Sequence, residues 1–135
     1  MPPIVENQLE DLSFLEKWIK QNKKVDLLTA KLNDESNLAA FTWTGLESQK
    51  EVVKKQLKAY QRIMNILPKK NHALAMSLLR ENIHSAIQIA SVPKQTWLDK
   101  YAKLFNRKSV SAEAFYDAAV TIKSRLLLKH LQRIS

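Results

Sequence analysis

Residues 46–67 read LESQKEVVKKQLKAYQRIMNIL. Leu46, Val53, Leu57, Tyr60, Met64 and Leu67 follow one another at intervals of seven, four, three, four and three. At about 100° per residue these positions stay within one narrow stripe of an α-helix. Val52, Ala59, Ile63 and Ile66 form a second apolar set beside it. Together the two sets cover about half the circumference, which is the pattern of a helix packed by neighbours on two sides. The segment is therefore predicted as the central helix of the fold. Its opposite side carries Lys50, Lys54, Lys55, Lys58 and Arg62. Glu47 and Glu51 are placed to pair with Lys50, Lys54 and Lys55 at three- and four-residue spacing, each pair worth about 0.3 kcal/mol. Lys58 and Arg62 have no such local partner. Pro68 closes the helix, since it can neither donate an amide hydrogen bond nor fit within a further turn.

Composition agrees with this element. The chain has 135 residues, enough for one hydrophobic core, and contains a single glycine. A β-rich or α/β fold of this length needs several glycines in hairpins, bulges and tight turns. A dinucleotide fingerprint or a phosphate loop needs two or three in one motif. Both classes are excluded, and the expected fold is all-α. It is expected to be a compact bundle of six to eight helices around 46–67, forming a single domain over 1–135. Cysteine is absent, which removes disulfides, thiolate metal sites and a cysteine nucleophile.

Working outward, Pro2-Pro3 predicts an extended segment over 1–10. Helices are expected over Asp11–Gln21, with Leu12, Leu15, Trp18 and Ile19 on one face, and over Asp26–Leu32. A short third helix holds Leu38 to Phe41, and Gly45 follows where a positive-φ turn is expected. Beyond Pro68, Asn71 is a good cap for a helix carrying Leu74, Leu78 and Leu79. Ser85–Ala90 is a short helical piece anchored by Ile87 and Ile89. The pair makes a helix-hairpin-helix-like unit near 74–90. Ser91 is expected to cap the next helix, with Pro93 in its first turn. Trp97, Leu98, Tyr101, Leu104 and Phe105 line that helix, and Ser109 or Ser111 caps the last one, which runs to about Arg133.

The last helix carries two apolar stripes. Phe115, Ala119, Ile122 and Leu126 form one; Val120, Leu127, Leu131 and Ile134 form another, about 100° or more away at helical pitch. One stripe docks on the domain. The other either sinks into the core as well or meets another subunit or the next part of a longer chain, and the second arrangement is the expectation. The expected protein interface is therefore Val120, Leu127, Leu131 and Ile134.

Charge is unevenly distributed. Residues 1–50 hold six bases and eight acids, whereas residues 51–135 hold sixteen bases and five acids. No acid lies between Val52 and Arg80 or after Asp117. An anionic partner follows as one reading, and a solvated basic face as the other. Lys54, Lys55, Lys58, Arg62, Lys69 and Lys70 are the candidate contacts for nucleic acid. The hairpin of a phosphate-binding helix-hairpin-helix uses glycine-bearing backbone, however, and Glu81-Asn82-Ile83-His84 stands there instead. Trp18, Trp43 and Trp97 do not alternate with lysine on one face, so they are expected as core or interface anchors rather than a base-stacking platform.

Reactive chemistry has little to build on. His72, His84 and His130 share no ligand spacing, so no metal is expected. Glu10-Asp11 and Asp34-Glu35 fall at a helix start and in a polar break, where capping and solvation account for them. No glycine-flanked turn exposes a serine nucleophile. No catalytic residue and no cofactor are expected, and the chain is not expected to be an enzyme. The first residues lack a positive region and an apolar core of the secretory type, and no apolar run approaches the roughly 18–20 residues of a membrane span.

Leu57-Lys58-Ala59-Tyr60-Gln61-Arg62 resembles a helix of the A components of bacterial Tc-type toxin complexes and related injection-system effectors. The run Leu78-Leu79-Arg80-Glu81-Asn82-Ile83-His84-Ser85-Ala86-Ile87-Gln88-Ile89-Ala90, continuing to Trp97-Leu98-Asp99-Lys100-Tyr101, is similar to a second unit of that family, in which a glycine usually stands at the position of Asn82. Ala112 to Ala119 is similar to its alanine-rich follower. The resemblance spans residues 46–130. It implies a non-catalytic helical scaffold that docks to a larger toxin or secretion assembly, or self-associates. The expected location is the bacterial cytoplasm before export, or outside the cell after secretion by a route without a signal peptide.

Overall fold

The computed structural model describes residues 11–106 and 110–134. The segment expected to be extended, 1–10, lies outside them. The fold is all-α: seven α-helices, and no strand among the described residues. They are α1 (Ser13–Gln21), α2 (Glu35–Ala39), α3 (Lys50–Ile66), α4 (His72–Arg80), α5 (Ala86–Ala90), α6 (Lys94–Tyr101) and α7 (Ala112–Ile134), with 3-10 turns at Glu47–Gln49 and Ala102–Phe105. Contacts divide the chain into two compact units, 1–61 and 62–135, and the division falls within α3. Every member of the stripe that defined the central helix is buried, from Leu46 through Val53, Leu57, Tyr60 and Met64 to Leu67.

In the first unit α1 buries Leu15 and Trp18. The Trp18 ring meets Phe41 at 5.4 Å and Trp43 at 6.0 Å, both edge to face, the arrangement the ring quadrupoles favour. Asn22, just past α1, is buried and joins two strands of chain. Its Nδ2 donates to the carbonyls of Trp18 (2.8 Å) and Thr42 (2.9 Å), while its Oδ1 accepts from the Thr42 amide (2.8 Å). The helix expected over Asp26–Leu32 does not form. The Asp26 carboxylate accepts from the Leu28 amide, and Gln61 Nε2 takes the carbonyls of Leu27 and Ala30 at 2.7 and 2.8 Å. Those bonds hold the segment as successive turns, and Leu32 still reaches the interior. Asp34 caps α2 through Ser36 and Asn37. Gly45 adopts φ +75, the left-handed turn expected of it.

In the second unit Lys70 Nζ donates to the carbonyls of Met64 and Leu67, satisfying groups that the end of α3 leaves open. Asn71 caps α4 by accepting from the Leu74 amide. The α4–α5 turn closes as a Schellman motif: the Asn82 amide donates to Leu79 O (2.9 Å) and the Ile83 amide to Leu78 O (3.0 Å), with Asn82 at φ 60. Ser85 caps α5. Ile89 is buried, but Ile87 is 52% exposed and is no anchor of this core, because α5 is too short to bury two faces. Ser91 does not cap α6; its hydroxyl turns back to the Ile87 carbonyl, and Pro93 stands at the α6 N-cap. Ser111 caps α7 through the Ala114 amide, while Ser109 lies outside the described residues. Trp97, Phe105, Phe115 and Tyr116 form one aromatic cluster, with Trp97 5.8 Å from Phe115.

Candidate functional site

The last helix is long, 23 residues or about 34 Å, and its two halves differ. Ala112, Phe115, Tyr116 and Ala119 are buried on the N-terminal half, where α7 packs along α5 and against α6. Two ion pairs fasten this half: Lys94 reaches Asp117 at 3.0 Å and Glu113 at 3.3 Å. The Asp117 carboxylate, with Glu113 beside it, holds the Lys94 ammonium above its ordinary pKa.

The C-terminal half is exposed. Val120, Leu127 and Leu131, three of the four expected interface residues, lie on the surface and within about 40° of one another around the helix. The side chain of Ile134, the fourth, lies outside the described residues. Three further apolar residues that sequence reasoning left off this surface join them: Leu126, Leu128 and Ile87 are 45%, 58% and 52% exposed. Leu126 was expected to dock inward with Ile122. It instead lines a groove with Ile66, Ala86, Ile87, Ile122 and Arg62, of about 280 Å³. A signal for this was available in the sequence. Leu126, Leu127 and Leu128 are consecutive, so they fan over about 200° of the helix and cannot share one buried face.

The basic residues considered for nucleic acid fall in both units. Lys54, Lys55 and Lys58 belong to the first unit and Arg62, Lys69 and Lys70 to the second. Lys54, Arg62 and Lys70 are committed internally. Lys54 pairs with Glu35 (3.0 Å) and Glu51 (3.2 Å), which hold its ammonium above the ordinary pKa. Arg62 Nε donates to the His84 carbonyl at 2.9 Å, and Lys70 serves the end of α3. In the helix-hairpin-helix-like turn the amides of Asn82, Ile83 and His84 donate to Leu79, Leu78 and Gln88, so they do not point at a ligand.

Trp18, Trp43 and Trp97 are all buried, as core anchors are. Among the described residues no three His, Asp or Glu side chains gather where they could hold a metal ion. No helix of the described residues is long and apolar enough to cross a membrane. No family model matches the chain, and no curated protein or solved structure matches it.

Proposed function

We propose that this protein is a non-catalytic helical interaction domain that docks to a larger assembly through the distal half of α7. One observation carries the reading: of the large apolar side chains exposed among the described residues, five lie on α7 and the sixth, Ile87, lies on α5 packed beside it. Exposed apolar residues scattered singly need no explanation, whereas a contiguous set marks a surface that another molecule covers. Covering the exposed halves of these side chains is worth on the order of 5 kcal/mol.

The assembly we infer is of the toxin or secretion type. The resemblance over Leu57–Arg62 and Leu78–Ala90 supports that reading. So does the left-handed backbone at Asn82, the geometry that the glycine usual at that position would adopt. The test compares wild type with the Leu127→Asp/Leu131→Asp double variant. Light scattering on size-exclusion eluates establishes that both are folded and of what mass, and a pull-down from the source cells reads the partner. A partner retained by wild type and lost by the variant is the expected result. Equal retention by both proteins means the docking face is elsewhere.

A further inference from the structure

We infer that the docking surface takes an acidic amphipathic helix of a partner protein, with one apolar side chain of that helix seated in the groove between α5 and α7. The inference rests on the docking function proposed above and gives its partner a chemistry.

The charge of α7 sets the sign. The helix has two carboxylates, Glu113 and Asp117, and both are taken by Lys94. From Val120 to Ile134 no acid remains, against Lys123, Arg125, Lys129 and Arg133. By helical pitch Lys123 lies on the arc between the groove side, Ile122 and Leu126, and the outer stripe, Val120 and Leu127. It has no ion pair among the described residues. A helix laid over that arc brings apolar residues against both sides of Lys123 and needs a carboxylate above it. Arg62, in the groove lining, asks for the same sign.

Shape and charge also separate the occupants. A second copy would bring the same cation-rich helix end against this one, and like charges across an interface oppose docking. A flat bilayer wets one side of a helix. It cannot enter a concavity of about 280 Å³ while also covering Leu127, Leu128 and Leu131, which fan over about 100° of the helix outside that concavity. An amphipathic helix packed into a groove meets both requirements, the mode in which apolar anchors recur at helical spacing.

Two synthetic helical peptides with identical leucine heptads serve as probes, one with glutamate and one with lysine at all flanking positions. Their affinities for the full chain are read by fluorescence anisotropy. The acidic peptide is expected to bind at least about tenfold more tightly, with the preference shrinking as salt rises past physiological strength. Ile87→Glu, an exposed substitution at the groove, is expected to weaken the acidic peptide and strengthen the basic one. Equal binding of both peptides, lost in Leu127→Asp/Leu131→Asp, overturns the charge assignment and leaves the docking face standing. Binding that persists unchanged in that double variant overturns the docking face itself. No peptide binding overturns the helix partner, whether the wild type then self-associates in light scattering or sediments with phosphatidylcholine–phosphatidylglycerol vesicles.

Discussion

Truncating α7 at two places measures where its core ends. Phe115 has no exposed surface, and its ring lies 5.3 Å from Phe105 and 5.8 Å from Trp97. Phe115→Ala removes the transfer energy of the ring, leaves a cavity and breaks the aromatic contacts, about 3–5 kcal/mol together. Against a domain stability of about 5–15 kcal/mol that is a large share. Leu127 is 52% exposed. Full burial of a leucine is worth about 1.5–3 kcal/mol, so a side chain with half its surface already in water loses no more than about 1.5 kcal/mol on truncation to alanine. Urea titrations followed by circular dichroism at 222 nm, for both variants and wild type, give the two differences directly. Phe115→Ala is expected to shift the midpoint strongly and Leu127→Ala far less. A Leu127→Ala cost comparable to that of Phe115→Ala would mean that the distal leucines are sealed within the protomer, and the docking surface would not exist.

Other expectations follow from single positions. Asn22→Ala leaves the Thr42 amide and the Trp18 and Thr42 carbonyls without their side-chain partner and is expected to cost about 1–3 kcal/mol in the same titration. Asn82→Gly keeps the Schellman turn and relieves a side chain at φ 60, so it is expected to raise the melting temperature, whereas Asn82→Ala lowers it. Hydrogen bonds from Ser36 and the Asn37 amide hold the Asp34 carboxyl below its ordinary pKa of 3.8. Its contribution to stability is therefore present above 3.8 and is lost as pH falls through the lower folded-state value. A carboxyl NMR titration of Asp34 is expected to show that depressed midpoint, and a midpoint at or above 3.8 contradicts the cap.

The sequence is most legible where one periodicity dominates. The stripe from Leu46 to Leu67 is buried along its whole length, and the single-residue signals at Gly45 and Asn71 mark a real turn and a real helix start. Asp26–Leu32 defeats the same reasoning, because its fate is decided 30 residues away: Gln61 takes two of its carbonyls, and no local pattern announces that. Asn22 reads as a linker residue until Thr42 is known to lie beside it. On α7 the outer stripe was visible, but the groove was not, since its walls come from α3, α5 and α7. Ile87 looks like a core residue on hydropathy alone. Only the shortness of α5, five residues, turns it outward.

The cations of the final turns have a second consequence. Aligned peptide dipoles leave the carboxyl end of a helix partly negative, and positive side chains there lower the free energy of the helical state. Lys129 and Arg133 stand at that end of α7, in turns whose leucines bury little surface. The unbound protein thus keeps its last turns wound by the same electrostatics that would draw an anionic visitor. Added salt will fray this end while it loosens any complex, so an ionic-strength series on the free chain must accompany one on the bound form.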